Sequence, residues 1–301
     1  MSSVEKDSVQ SPGRPIFGDG ATATARPAVR AEFGGASHIG LRRATNEDHF
    51  AIVRRTRGRE IVLTNVDTQG LKLASDEAHV LIVADGIGGC GFGEVASEMI
   101  LRIGWELAEN APSWTMKFDP ALWTRLREKV LEMTQRMQQE LRDYADAHAG
   151  LEGMGTTWTC AYLMGGDAVI AHAGDSRAYL YRDGNLRQLT CDHTLAQEMQ
   201  NDGVPEDETR PYRHILTNSF GTRVGDVHID IGHIGLEPGD RLVVCSDGLT
   251  GMVPDPEITA CLSAVSGAQT ACDALISLAL GHGGRDNVTV IVGDLLEREP
   301  G

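Results

Sequence analysis

Two apolar runs in this chain end abruptly on an acidic residue followed by glycine. Val80-Leu81-Ile82-Val83-Ala84 passes straight into Asp85-Gly86, and Leu242-Val243-Val244-Cys245 passes into Ser246-Asp247-Gly248. Runs this short and this continuously apolar read as strands buried on both faces. A carboxylate at the mouth of such a strand is costly to desolvate without a cation or metal beside it. Four further acidic residues, in three segments, share the pattern. Asn46-Glu47-Asp48 and Arg285-Asp286-Asn287 each open a strand-like run, and Gly174-Asp175-Ser176 joins two. The glycines around them let backbone approach closely. A lone Asp-Gly is ordinarily a turn, and Asp183-Gly184 and Asp202-Gly203 fit that reading.

Cations to match these aspartates are scarce. The 301 residues hold 27 Lys and Arg against 43 Asp and Glu, a net charge of −16, and the lysines are only Lys6, Lys72, Lys117 and Lys129. Converging carboxylates without matching cations read as an oxygen-ligand site for Mg²⁺ or Mn²⁺. A cluster of this size suits two ions clamping a phosphoryl group. The same charge argues against nucleic acid or an anionic membrane as partner. No apolar run reaches the ~20 residues of a bilayer span, and no signal peptide is evident, so a cytoplasmic protein is expected. The six cysteines form no C-x-x-C pair, which fits reduced thiols. There is no P-loop, zincin or EF-hand motif. A serine esterase centred on Ser176 is disfavoured because that residue is not on a strand-to-helix elbow.

The order of elements predicts an α+β chain. Strand-like runs at His49–Arg54, Glu60–Val66 and His79–Ala84 precede two helices. The first, Glu94–Asn110, puts Val95, Met99, Ile103 and Leu107 on one face. The second follows the Asp119-Pro120 start signal with an apolar stripe of Leu122, Leu126, Val130, Met133, Met137, Leu141 and Tyr144. Strands are expected at Thr156–Met164, Ala168–Ala173, Ala178–Arg182, Val227–Ile234, Arg241–Cys245 and Val288–Gly293, with helices at Pro256–Val265 and Ala268–Leu280. Strands, helix pair, strands, helix pair and a last strand is not βαβ alternation. It argues for stacked antiparallel sheets with helices outside. The division expected is 1–32 a disordered tail, 33–296 one folded domain and 297–301 a short tail.

Seven motifs then occur in a fixed order. They are Gly40-Leu41-Arg42-Arg43-Ala44-Thr45-Asn46-Glu47-Asp48 (G-x-x-R-x-x-N-E-D), Asp85-Gly86-Ile87-Gly88-Gly89 (D-G-x-G-G), Gly155-Thr156-Thr157, Gly174-Asp175-Ser176-Arg177, Leu189-Thr190-Cys191-Asp192-His193, Ser246-Asp247-Gly248-Leu249 and Gly284-Arg285-Asp286-Asn287-Val288-Thr289. From about residue 36 to 293 the chain resembles the metal-dependent serine/threonine phosphatases of the protein phosphatase 2C (PPM) family, bacterial type. The resemblance implies a four-layer α-β-β-α sandwich, two antiparallel sheets flanked by helix pairs. It implies that Asp85 and the Gly86 carbonyl, with Asp247 and Asp286, hold two Mn²⁺ or Mg²⁺ ions, and that Asp175 with Asp247 holds the third ion of bacterial members. Glu47 and Asp48 would act on or hold the attacking water, and Arg43 would grip the phosphate. The implied activity is direct hydrolysis of phosphoserine and phosphothreonine in phosphorylated proteins, opposing a Ser/Thr kinase, by a monomer.

A catalytically inactive phosphatase-like binding or scaffold module is the competing reading. Such members lose a metal aspartate, whereas Asp85, Asp247 and Asp286 are all present here. Three positions depart from the family. Ile87 replaces a histidine that eukaryotic members are thought to use as acid, leaving water, His193 and His214 as candidate proton donors. Asn218 replaces an arginine, and Cys90 sits in the glycine loop. Thr194–His214 corresponds to the mobile flap of bacterial members and is expected to shape substrate choice.

Overall fold

The computed structural model describes residues 29–58, 63, 76–88, 92–109, 118–151, 153–221 and 226–297. Its eleven strands among these residues form two antiparallel sheets. The first runs β1 (Val29–His38), β11 (Val288–Glu297), β10 (Arg241–Cys245), β7 (Arg177–Arg182), β8 (Asn185–Gln188). The second runs β2 (Asp48–Arg57), β3 (Asp76–Ile87), β5 (Trp158–Met164), β6 (Asp167–Ala173), β9 (Asp230–Gly235), with the two-residue β4 (Gly155–Thr156) paired to β3. Helices α1 (Phe92–Glu109) and α2 (Trp123–Ala147) cover the second sheet. Short helices α3 (Leu195–Asn201) and α4 (Glu206–Thr209) follow β8, a single turn α5 (Asp247–Thr250) follows β10, and α6 (Asp255–Ala264) and α7 (Ala268–Gly281) cover the first sheet. The expected α-β-β-α sandwich is the one observed.

The continuous apolar runs are explained by the layering. Successive side chains on a strand point to opposite faces, and both faces of the inner strands are covered. On β10, Leu242 and Val244 enter the core between the sheets while Val243 and Cys245 pack under α6 and α7. On β3, Leu81 and Val83 enter the inter-sheet core while Val80, Ile82 and Ala84 face α1 and α2. The α2 stripe is buried through Leu126, Val130, Met137 and Leu141. Asp119 caps its start, accepting a hydrogen bond from the Ala121 amide at 2.9 Å across a 3-10 turn at Pro120–Leu122.

Several expectations need correction. β1 begins at Val29, within the segment read as a tail, and pairs Val29 with Glu297; the domain therefore starts before 33 and β11 runs past 296. β1 is concealed in the sequence by Gly34 and Gly35. Gly34 is required because α7 lies directly on this strand: a Cβ there would meet the Gln269 backbone at 2.4 Å. The strand expected at Val227 forms only from Asp230, because the Asn218 side chain holds both the His228 amide and carbonyl out of the ladder (2.9 and 2.8 Å). The Thr156–Met164 run is broken at Thr157. Asp183-Gly184 is the two-residue hairpin turn, with φ of 50° and 79°. Glu60–Val66 lies, apart from Leu63, outside the described residues, as does Cys90. Among the described residues no helix is long and apolar enough to cross a membrane.

One buried polar group bears on stability. His172 on β6 is fully buried; its Nδ1 lies 2.8 Å from the Thr159 hydroxyl and its Nε2 3.1 Å from the Cys191 carbonyl. A carbonyl can only accept, so Nε2 carries a hydrogen, and burial favours the neutral ring. Burial lowers its pKa to about 4 from the usual 6.5. The resulting stability is complete above pH ~6.5 and is lost as pH falls toward 4, about 3 kcal/mol in all. Urea denaturation of metal-free protein at pH 7 and 4.5 should therefore show a smaller acid-induced loss for His172→Asn than for the parent, whereas parallel losses would show that His172 titrates normally.

Candidate metal centre

The acidic residues singled out from the sequence converge at one end of the sandwich. Asp48, first residue of β2, is directly opposite Asp85, near the end of β3. Asp247 follows β10 and opens α5, and Asp286 precedes β11. Antiparallel neighbours β10 and β11 deliver their aspartates to the same rim because one strand ends there and the other begins. Asp175 occupies the β6–β7 connection.

The motif residues around them act as fasteners. Thr157 Oγ1 accepts the Asp85 amide at 3.0 Å and shares a hydrogen bond with Ser176 Oγ at 2.8 Å, and its own amide donates to the Asp85 carbonyl at 2.9 Å. Gly86 touches α1 so closely that a Cβ would sit 2.2 Å from the Gly93 carbonyl oxygen, and a Cβ on Gly93 would lie 2.5 Å from Glu47 Oε2. The glycines thus let the β3 end, the α1 start and the Glu47 side chain share one small volume. Ser246 Oγ donates to Asp48 Oδ2 at 2.7 Å and receives the Thr289 amide at 3.0 Å. Asn287 accepts the Glu47 amide at 2.8 Å and donates to the carbonyls of Ile39 and Thr45, each at 2.9 Å. Arg177 forks onto Asp192 at 2.7 and 2.6 Å, tying the Gly174–Arg177 segment to the Leu189–His193 segment. Ser246, Thr157 and Asn287 were visible in the sequence only as motif letters. Their roles depend on partners as far as 72, 198 and 248 residues away, for Thr157, Ser246 and Asn287 respectively.

The electrostatics are those of a crowded acidic site. Burial pushes Asp48 up to about 7 despite the hydrogen bond from Ser246. Burial, then the charges of Asp48, Asp247 and Asp175, hold Asp85 well above the usual carboxylate range. Asp175 and Asp247 are also raised, again chiefly by burial. The charge of Asp247 adds to those acting on Asp85, so these two carboxyl groups are close neighbours in the cluster. One guanidinium ion-pairs within the set: Arg43 reaches Asp286 Oδ2 at 2.7 Å. Asp48 Oδ1 is buried with no hydrogen-bond partner.

A hard divalent cation fits these residues. The donors are all oxygen, the charge is uncompensated, and a buried carboxylate oxygen is orphaned. Among the described residues no three His, Cys, Asp or Glu side chains close into a finished cage, so the fit rests on donor chemistry. A cavity of about 420 Å³ lies elsewhere, between the second sheet and α1 and α2, lined by Val80, Ile82, Ile100 and Val130 and by none of these aspartates.

Two sequence candidates are settled differently. Ser176 is fully buried against Thr157, a structural hydroxyl and no nucleophile. His193 has both ring nitrogens engaged: Nε2 with Asp230 Oδ2 (3.2 Å), Nδ1 with the Gly174 amide (3.1 Å) and Asn218 Nδ2 (2.8 Å). It positions the loop carrying Asp175. His214 is exposed on the Thr194–His214 segment. That segment is folded into α3, α4 and a 3-10 turn at Arg210–Tyr212, with Thr209 fully buried and bonded to Gln200 at 2.7 Å.

Known proteins resemble the chain over most of its length. The serine/threonine phosphatase stp of Listeria monocytogenes is 35% identical over 249 residues, covering 82% of this chain and 94% of its own length. The Streptococcus agalactiae serine/threonine phosphatase structure superposes with a TM-score of 0.72 at 29% identity, covering 88% of this chain and 99% of that one. The catalytic domain of PstP, solved in complex with two manganese ions, superposes at 0.67 with 29% identity over 89% of this chain and 99% of that one. Residues 63–279 match the sequence family described as Protein phosphatase 2C, and the chain belongs to that family.

Proposed function

We propose that this protein is a metal-dependent protein serine/threonine phosphatase whose centre is the acidic rim. The observation that carries this is the gathering of Asp48, Asp85, Asp175, Asp247 and Asp286, most of them raised in pKa by burial, where among the described residues Arg43 alone of the arginines ion-pairs with the set. In this reading Asp85, the Gly86 carbonyl, Asp247 and Asp286 hold two Mn²⁺ or Mg²⁺ ions, and Asp175 joins Asp247 around a third. Bound cations supply Lewis-acid charge neutralisation of the phosphate and a more acidic water. The catalytic domain spans about 29–297, the range joined by the β1–β11 ladder.

The chain's own residues then have distinct tasks. Arg43 presents a guanidinium fork to the phosphate oxygens from a position fixed by Asp286. Asp48, whose Oδ2 is occupied by Ser246, offers the orphaned Oδ1 as the site where a proton from water is held. Glu47, packed against Gly93 at the start of α1, orients the same water. His214 and solvent are the proton donors left to the leaving alkoxide, since His193 uses both nitrogens in the fold. The substrates are phosphorylated proteins, and the reaction opposes that of a Ser/Thr kinase. We place the protein in the cytoplasm.

Hydrolysis of p-nitrophenyl phosphate by purified protein should require Mn²⁺ or Mg²⁺, stop with EDTA, and fall at least a hundredfold in Asp247→Asn. Metal-independent hydrolysis, or full activity in the variant, would sink the assignment. Arg43→Ala should raise KM about tenfold, more than it lowers kcat, because the lost contact is to the phosphate itself; a pure kcat effect would place Arg43 elsewhere. Replacing residues 200–210 by a flexible linker should reduce activity on phosphopeptides far more than on the aryl phosphate. Equal losses on both would show that α3 and α4 act on stability instead.

A further inference from the structure

Two loops are stapled together at the edge of the acidic rim. The Leu41 amide bonds the Gly284 carbonyl at 2.7 Å, Asn287 bonds the carbonyls of Ile39 and Thr45, and a Cβ on Gly40 would sit 2.1 Å from the Asp286 carbonyl oxygen. The stapled pair carries three arginines, Arg42, Arg43 and Arg285, all exposed. Arg43 is partnered by Asp286. Among the described residues neither Arg42 nor Arg285 makes an ion pair or hydrogen bond, although the chain has 43 acidic residues against 27 basic ones. In a protein with so many carboxylates available, two unpartnered guanidinium groups on adjoining loops form a local cationic rim.

We infer that this rim reads a second anionic group of the substrate, next to the phosphate that is hydrolysed. The inference rests on the phosphatase reading above. The phosphate being cleaved is served by Arg43 and the acidic centre, so Arg42 and Arg285 are surplus to a substrate with one isolated phosphate. An extended peptide advances about 3.3 Å per residue, and an arginine side chain spans about two such steps. Anions within about three residues of the phosphorylated side chain are therefore in reach. The chemistry selected is an anion that a guanidinium can fork, either a carboxylate or another phosphate. Arg42 and Arg285 determine specificity and take no part in bond cleavage.

The test uses peptides built around one phosphothreonine, flanked by alanine, glutamate, lysine or a second phosphothreonine. With Mn²⁺ present, kcat/KM should be about fivefold higher with anionic than with neutral flanks and lower still with lysine, mostly through KM. The glutamate and doubly phosphorylated arms distinguish the two sources of the anion. Raising the salt from 0.05 to 0.5 M should compress the ratio, because exposed charges are screened. In the double variant Arg42→Ser/Arg285→Ser the ratio should approach one, and Arg42→Lys/Arg285→Lys should restore part of it. The readout is a ratio between peptides on one enzyme, so a general loss of activity does not move it. Equal rates on all four peptides, or a preference unchanged in the serine variant, would overturn the inference while Mn²⁺-dependent hydrolysis of p-nitrophenyl phosphate leaves the phosphatase reading intact. Absence of any hydrolysis overturns both.

Discussion

Mutual repulsion among buried carboxylates is the constraint on which this structure turns. Asp48 and Asp85 face each other across a strand pair, and the charge of Asp247 acts on Asp85. Left to itself such a cluster would open toward water. It is held by groups that have no charge to contribute: Ser246 on Asp48, Thr157 on the Asp85 backbone, Asn287 across three segments. The scaffold stabilises the geometry while leaving the charge uncompensated, and uncompensated charge is what gives a divalent cation its affinity.

The two sheets serve this end mechanically. Their inner strands are buried on both faces, so β3 and β10 are among the least movable parts of the molecule. Placing the aspartates at the ends of those strands rather than on long loops fixes each carboxylate relative to the core. The close approach of Gly86 to Gly93 then ties the end of β3 to the start of α1. A side chain at either position would push the helix away, so the glycine-rich stretch is a spacing device before it is anything chemical.

The sequence made the inner layers legible and the edges obscure. β3, β10 and α2 carry unmistakable patterns because packing on both faces, or one helical stripe, dictates residue type at every position. β1 was not recognisable: Gly34 answers to the α7 backbone and Gly35 to Phe50 and Ile52 of β2, while the Gly35 amide reaches Gln269, 234 residues away. The late start of β9 was equally hidden, since it depends on the Asn218 side chain imitating a strand partner for His228. The site's aspartates could be found because desolvation makes an acid at the end of an apolar strand conspicuous. Their fasteners could not, because a serine or asparagine beside an aspartate looks like any polar turn until its distant partner is known. His193 illustrates the limit: as a histidine near the site it invited an acid-base role, and only its three partners show that it is positioning.

Net charge is a poor guide to what the rim attracts. The −16 is a sum over the whole chain, and charges farther than roughly 8 Å are largely screened at physiological salt. A phosphorylated side chain arriving at the β3 and β10 ends responds to the groups within that distance. There the carboxylates set the demand for cations, and the arginines of the two stapled loops stand outside them. The field a substrate meets is thus layered, with guanidinium groups at the rim and carboxylates within. Such an arrangement favours a dianion over a neutral ester by position alone, because the anion passes the positive layer first.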